Sequence, residues 1–160
     1  MSRALFPFEI AEARRVFGNT LPYSRITVTN GLGAGGAQFT VALPTLFGPW
    51  SYELNMGPRG FVNCLSIAAT FIHELTHVWQ GSHSSFPPAY MVNSLFHQAV
   101  AIVQTGNRNN AYNYTPGSPW GAYNVEQQGN IVEDWYIQGM KSTDPRFRYI
   151  SGNIWTGHNF

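Results

Sequence analysis

The chain has 160 residues, of which 44% are hydrophobic and 15% aromatic, while only 11% are charged and the formal net charge is +1. That length suits one domain with a substantial core under a polar, weakly charged surface, since average soluble domains carry roughly 25% charged residues. No run of Lys or Arg supplies the concentrated positive charge that nucleic acid or an anionic membrane needs. No stretch is long and apolar enough to span a bilayer, and a single cysteine, Cys64, excludes an internal disulfide framework.

The first fifteen residues, MSRALFPFEIAEARR, interrupt their apolar stretch with charges and do not read as a secretory signal, so the protein is expected to be cytoplasmic when made. Phe8 to Phe17 places Ile10, Ala13, Val16 and Phe17 at helical spacing before Gly18. Arg25 to Thr29 (RITVT) alternates and is rich in β-branched residues, as a strand should be. Asn30 to Gly36 (NGLGAGG) reads as a turn, and Gln38 to Ala42 as a second strand returning against the first in a hairpin. Ser51 to Asn55 is a third strand and the candidate sheet edge.

From Ser66 the period becomes helical. Ile67, Phe71, Leu75, Val78 and Trp79 recur through Gln80, with Gly81 as a stop, and the helix is apolar around most of its circumference. A second helix is expected from about Ala89 to Gln104 and a third from about Asn124 to Gly139, separated by a polar aromatic loop; the last twenty residues read as irregular. With no internal repeat and no linker, residues 1–160 are expected to form one α+β domain. Its N-terminal antiparallel sheet leads into a buried helix and two further helices.

The buried helix carries His73-Glu74-Leu75-Thr76-His77, an H-E-x-x-H pattern. Four helical residues rotate a side chain by about 400°, so the two imidazoles stand about 40° apart and one turn along the axis. Both can approach one ion, while Glu74 beside them can take a proton from a metal-bound water. Two histidines and a glutamate among Phe71, Ile72, Val78 and Trp79 need a reason, because unpaired buried polar groups are costly. Catalytic zinc requires a third ligand. His83 is a candidate, but Gly81 breaks the helix before it. The third helix offers Glu126, Asn130 and Glu133 along one stripe. Glu126 and Glu133 lie about 10 Å apart along the axis, so with Zn–O bonds of about 2.0–2.2 Å both cannot ligate one ion. Asn130, one turn from Glu126, stands where a partner for a ligating histidine would be, which favours Glu126.

FIHELTHVWQ followed by YNVEQQGNIVEDWY, with LPYSRITVTNG upstream, resembles bacterial zinc metallopeptidase domains of Vgr-related proteins attached to type VI secretion spikes. The resemblance covers about Leu21 to Gly139. It implies a zincin-like fold, a zinc ion on His73, His77 and Glu126, and Glu74 as the catalytic carboxylate. It also implies a peptide or protein substrate, with a secretion-system spike or a cognate inhibitor protein as partner and export by a contractile secretion system. Thermolysin-like gluzincins carry an Asp four residues after the ligand Glu; Asn130 stands there instead, which leaves Glu133 or Asp134 to orient a histidine.

Tyr112, Tyr114 and Tyr123 are candidates for stabilising an oxyanion. His97 reads as a core histidine, His158 as exposed, Arg59 and Arg108 as solvated, and Cys64 as a small buried apolar group. A cell-wall peptide amidase with the same chemistry is an alternative function. A zinc-stabilised binding module is another, against which stands the retention of Glu74.

Overall fold

The computed structural model describes residues 1–85 and 112–159. The expected helix from Ala89 to Gln104, with His97, and Arg108 in the following loop lie outside the described residues. The chain forms β1 (Ser2–Ala4), α1 (Pro7–Phe17), β2 (Ile26–Thr29), β3 (Phe39–Leu43), β4 (Ser51–Asn55), α2 (Gly57–Val62) and α3 (Ala68–Ser82). After residue 111 come α4 (Val125–Ile137) and α5 (Phe147–Tyr149), which widens into a π-type turn over Ile150–Ile154. The α+β class stands.

The sheet has the order β1-β2-β4-β3 and is mixed, not antiparallel throughout. The expected hairpin between RITVT and the next strand does not form: β4 lies between them, parallel to β2 and antiparallel to β3. Burial explains the order. Ile26 and Val28 face Tyr52 and Leu54 across the β2–β4 pair, and all four are buried. β3 carries Phe39 and Leu43 in exposed positions and buries only Ala42, so it suits the periphery. Ser51–Asn55 is therefore central and paired on both sides; the reading of it as an edge is overturned, and β3 is the edge on that side. β1 was too short to show a period, and the terminal segment, expected to be irregular, is helical over residues 147–154.

Glu9 ties the N-terminal elements together. Its carboxylate, wholly buried, accepts two bonds from the Arg3 guanidinium and one each from the Phe6 and Cys64 amides, all at 2.8 Å. Helix α3 is buried continuously from Phe71 to Gly81. It packs between α4 and the strands β3 and β4, so any side chain on its α4 face meets that helix, and any on its other face meets the edge strand. Trp79, the largest fully buried side chain, donates its indole N–H to the Ile154 carbonyl and so anchors the C-terminal turn to α3.

Candidate metal centre

Helices α3 and α4 pack against each other, and their facing residues include His73, His77 and Glu126. All three are buried, and one potential ligand atom from each lies within 4.8 Å of the others. The Glu126 Oε2 atom is 3.2 Å from His73 Nε2 and 3.6 Å from His77 Nε2. Donors about 2.0–2.1 Å from a tetrahedral ion stand about 3.3 Å apart, so these separations fit one small cation.

Helix α4 reaches this point because Asn124 caps it: its side chain accepts from the Gln127 amide, while the Gln127 side chain accepts from the Asn124 amide. The cap puts Glu126 in the first helical turn. Burial opposes its charge, but the two histidines outweigh that and hold the carboxyl far below the usual range.

His73 is gripped at both ring nitrogens. Nδ1 meets Glu133 Oε2 at 2.9 Å while Nε2 faces Glu126. Burial works against a charged ring, yet the bonds to Glu126 and Glu133 prevail and raise its pKa to about 10. His77 is shifted upward too: burial opposes the shift and the Glu126 charge drives it. Because Nδ1 of His73 faces a carboxylate that can only accept, it carries the proton, and the Nε2 lone pair points at a second carboxylate. That arrangement is satisfied by a further proton or by a cation between them. Among the described residues the group offers three donors, His2Glu, one fewer than the four that close a structural zinc site.

Gly129 makes the approach of the two helices possible. A Cβ there would lie 2.7–3.0 Å from three atoms of the His73 ring. Glu126, Gly129 and Glu133 thus form one stripe, with a carboxylate at each end and a bare backbone where the imidazole lies.

Glu74 points the other way, toward the sheet. The Thr40 hydroxyl, on edge strand β3, is 2.6 Å from Glu74 Oε2 and donates to it. Beside it lies a cleft of about 200 Å³ lined by Gln38, Thr70, His73, Glu74, Tyr112, Asn130 and Glu133 among others.

The remaining sequence candidates sort by position. Tyr112 lies beside the site, its ring centroid 6.1 Å from that of His73. Tyr114 is engaged elsewhere, donating to Asp134 at 2.6 Å and accepting from Arg146. Tyr123 donates to the Thr115 carbonyl and supports the loop around Ser118. His83 caps α3, stacked on Trp79 with Nδ1 2.8 Å from the Trp79 carbonyl, and is not part of the His73–His77–Glu126 group. Asn130 does not orient a histidine; it donates to the Tyr112 carbonyl, and Glu133 takes the place on His73 instead. Asp134 serves Tyr114 and Arg146. Cys64 is fully buried, and burial with the nearby Glu9 pushes its thiol up to about 12. Arg59 and His158 are exposed. Sequence reasoning missed Thr40, Gln80 and Gln128. A sign of Gln80 was present: a long amide on an otherwise apolar helix, three residues from His77 and so on its face.

These features define an α+β domain in which an H-E-x-x-H helix and a facing helix assemble a group that could hold a metal ion. No protein-family model matches the chain. It is 32% identical, over 165 aligned positions, to the type VI secretion system spike protein VgrG2b of Pseudomonas aeruginosa. That alignment takes in 98% of this chain but only 15% of VgrG2b. The solved effector domain of Pseudomonas aeruginosa VgrG2b matches it with a TM-score of 0.62 and 26% identity, over 92% of this chain and 81% of that one. The chain is thus similar in sequence and in fold to that effector domain.

Proposed function

We propose that the protein is a zinc-dependent peptidase acting as an effector delivered by a type VI secretion system. The observation that supports the chemistry is the convergence of His73 Nε2, His77 Nε2 and Glu126 Oε2, with Glu74, held by Thr40, lining one cleft with His73. His73, His77 and Glu126 would hold the ion, which when bound would activate water and polarise a carbonyl. Glu74 accepts the proton of the attacking water and returns it to the leaving nitrogen. The carbonyl carbon gains the oxygen, the C–N bond breaks, and acid and amine result. The delivery route and a spike as partner rest on the likeness to VgrG2b.

The substrate would lie along β3. That strand is the sheet edge nearest α3, and its Thr40 touches the base, so a peptide added by strand pairing would bring its backbone past Glu74. The test is a broad peptide-library cleavage assay of zinc-loaded protein. Wild type is expected to cleave and Glu74→Gln to lose nearly all activity while keeping metal and fold; equal rates would overturn Glu74 as base.

A further inference from the structure

Behind His77 lies a chain of buried side-chain amides whose orientation is fixed by backbone chemistry. Gln128 places its Nε2 3.0 Å from the Trp120 carbonyl and 3.3 Å from the Tyr123 carbonyl. Carbonyls only accept, so the atom facing them is the NH2, and the Gln128 oxygen must face the other way. It accepts there from Gln80 Nε2 at 2.8 Å. Gln80 Nε2 spends its second hydrogen on the Val125 carbonyl at 3.0 Å. The Gln80 oxygen therefore has one direction left, and it meets His77 Nδ1 at 2.8 Å. Gln80 is completely buried and Gln128 nearly so.

We infer that Gln80, oriented by Gln128, is the positioning residue that locks His77 in the Nδ1–H tautomer and so aims its Nε2 lone pair at the metal position. An acceptor at Nδ1 obliges that nitrogen to carry the proton, and Nε2 is then the only ring nitrogen able to ligate. The same amide grips Val125, the residue before Glu126, so one side chain on α3 sets both the ring of one ligand and the backbone of another. The two histidines are held by unlike partners. His73 has the Glu133 carboxylate, and His77 has a neutral amide that adds no charge to the site. Gln80 touches neither substrate nor reacting atoms; it acts through His77.

The inference rests on reading His73, His77 and Glu126 as a metal site, and its test reads metal binding and proton position without any peptide substrate. In zinc-loaded wild type labelled with 15N-histidine, His77 is expected to show a protonated Nδ1 and a ligated Nε2. Ligation through Nδ1 overturns the inference whatever the variants do. Gln80→Leu, checked for fold by circular dichroism, is expected to lose about 10–100-fold in zinc affinity. Gln128→Leu, which leaves every contact of His77 intact, should lose less but measurably. Wild-type affinity in both folded variants overturns the role of the relay alone, whereas a wild type that binds no zinc overturns the metal-site reading together with it.

Discussion

Gly129→Ala tests how closely the two helices must approach. The added Cβ would sit 2.7 Å from His73 Cε1, 2.8 Å from Nε2 and 3.0 Å from Nδ1. Carbon atoms in contact prefer about 3.5–4.0 Å, so the ring would have to retreat by about 0.8–1.3 Å. Glu133 and Glu126 hold both of its nitrogens, so retreat means loss of those bonds. Metal–ligand distances tolerate only about ±0.2 Å, so a displacement of this size takes Nε2 out of bonding range. Overpacking typically costs about 1–3 kcal/mol, and replacing a helical Gly with Ala returns about 0.8–1.0 kcal/mol. Unfolding of the metal-free variant should therefore shift by at most about 2 kcal/mol, while zinc affinity falls at least about tenfold. Gly152→Ala, where an added Cβ meets nothing within 4 Å, is the control. Isothermal titration with zinc and urea denaturation of the metal-free proteins give both quantities. Undiminished zinc affinity in Gly129→Ala would refute the packing argument.

Thr40→Val removes the hydroxyl that donates to Glu74 while keeping the strand's shape. Turnover on a cleavable peptide should fall about tenfold, the equivalent of roughly 1.4 kcal/mol, with zinc content unchanged; a variant as active as wild type would show that Glu74 needs no such support. Burial opposes the charge on Glu9, but the Arg3, Phe6 and Cys64 bonds outweigh it and lower the pKa from 4.5. The sign follows: this stabilisation is present above about pH 4.5 and is lost as pH falls through the lower folded value. Acid unfolding should therefore flatten below that pH in Glu9→Gln, and identical slopes would contradict the assignment. Cys64, pushed up to about 12, should resist a thiol reagent at about pH 8 until the protein unfolds, which mass spectrometry at increasing urea checks.

The residues that the structure brings together at the candidate site, His73, His77 and Glu126, could be picked out in the sequence because helical spacing is a local property. His73, Glu74 and His77 follow from one turn of α3, and Glu126 from its place in a second helix. Strand order was not legible. The hairpin expected between β2 and β3 failed because pairing depends on which strands bury most, and β4, with Tyr52 and Leu54, takes the centre. That same error misplaced the sheet edge. Orienting partners were partly legible. With Asn130 where an Asp was expected, Glu133 and Asp134 were the alternatives, and only the packing of α3 on α4 shows that Glu133 meets His73 while Asn130 meets the Tyr112 carbonyl. The amide relay through Gln80 and Gln128 joins residues 48 positions apart, so no local pattern could reveal it.

Anomalous diffraction at the zinc edge, from crystals of zinc-loaded protein, tests the account's central claim most directly. The account predicts one strong peak bonded to His73 Nε2, His77 Nε2 and Glu126 Oε2 at about 2.0–2.2 Å, with Glu133 on the outer side of His73. A peak ligated by Glu133 or His83, or no peak at the His73–His77 pair, would contradict it.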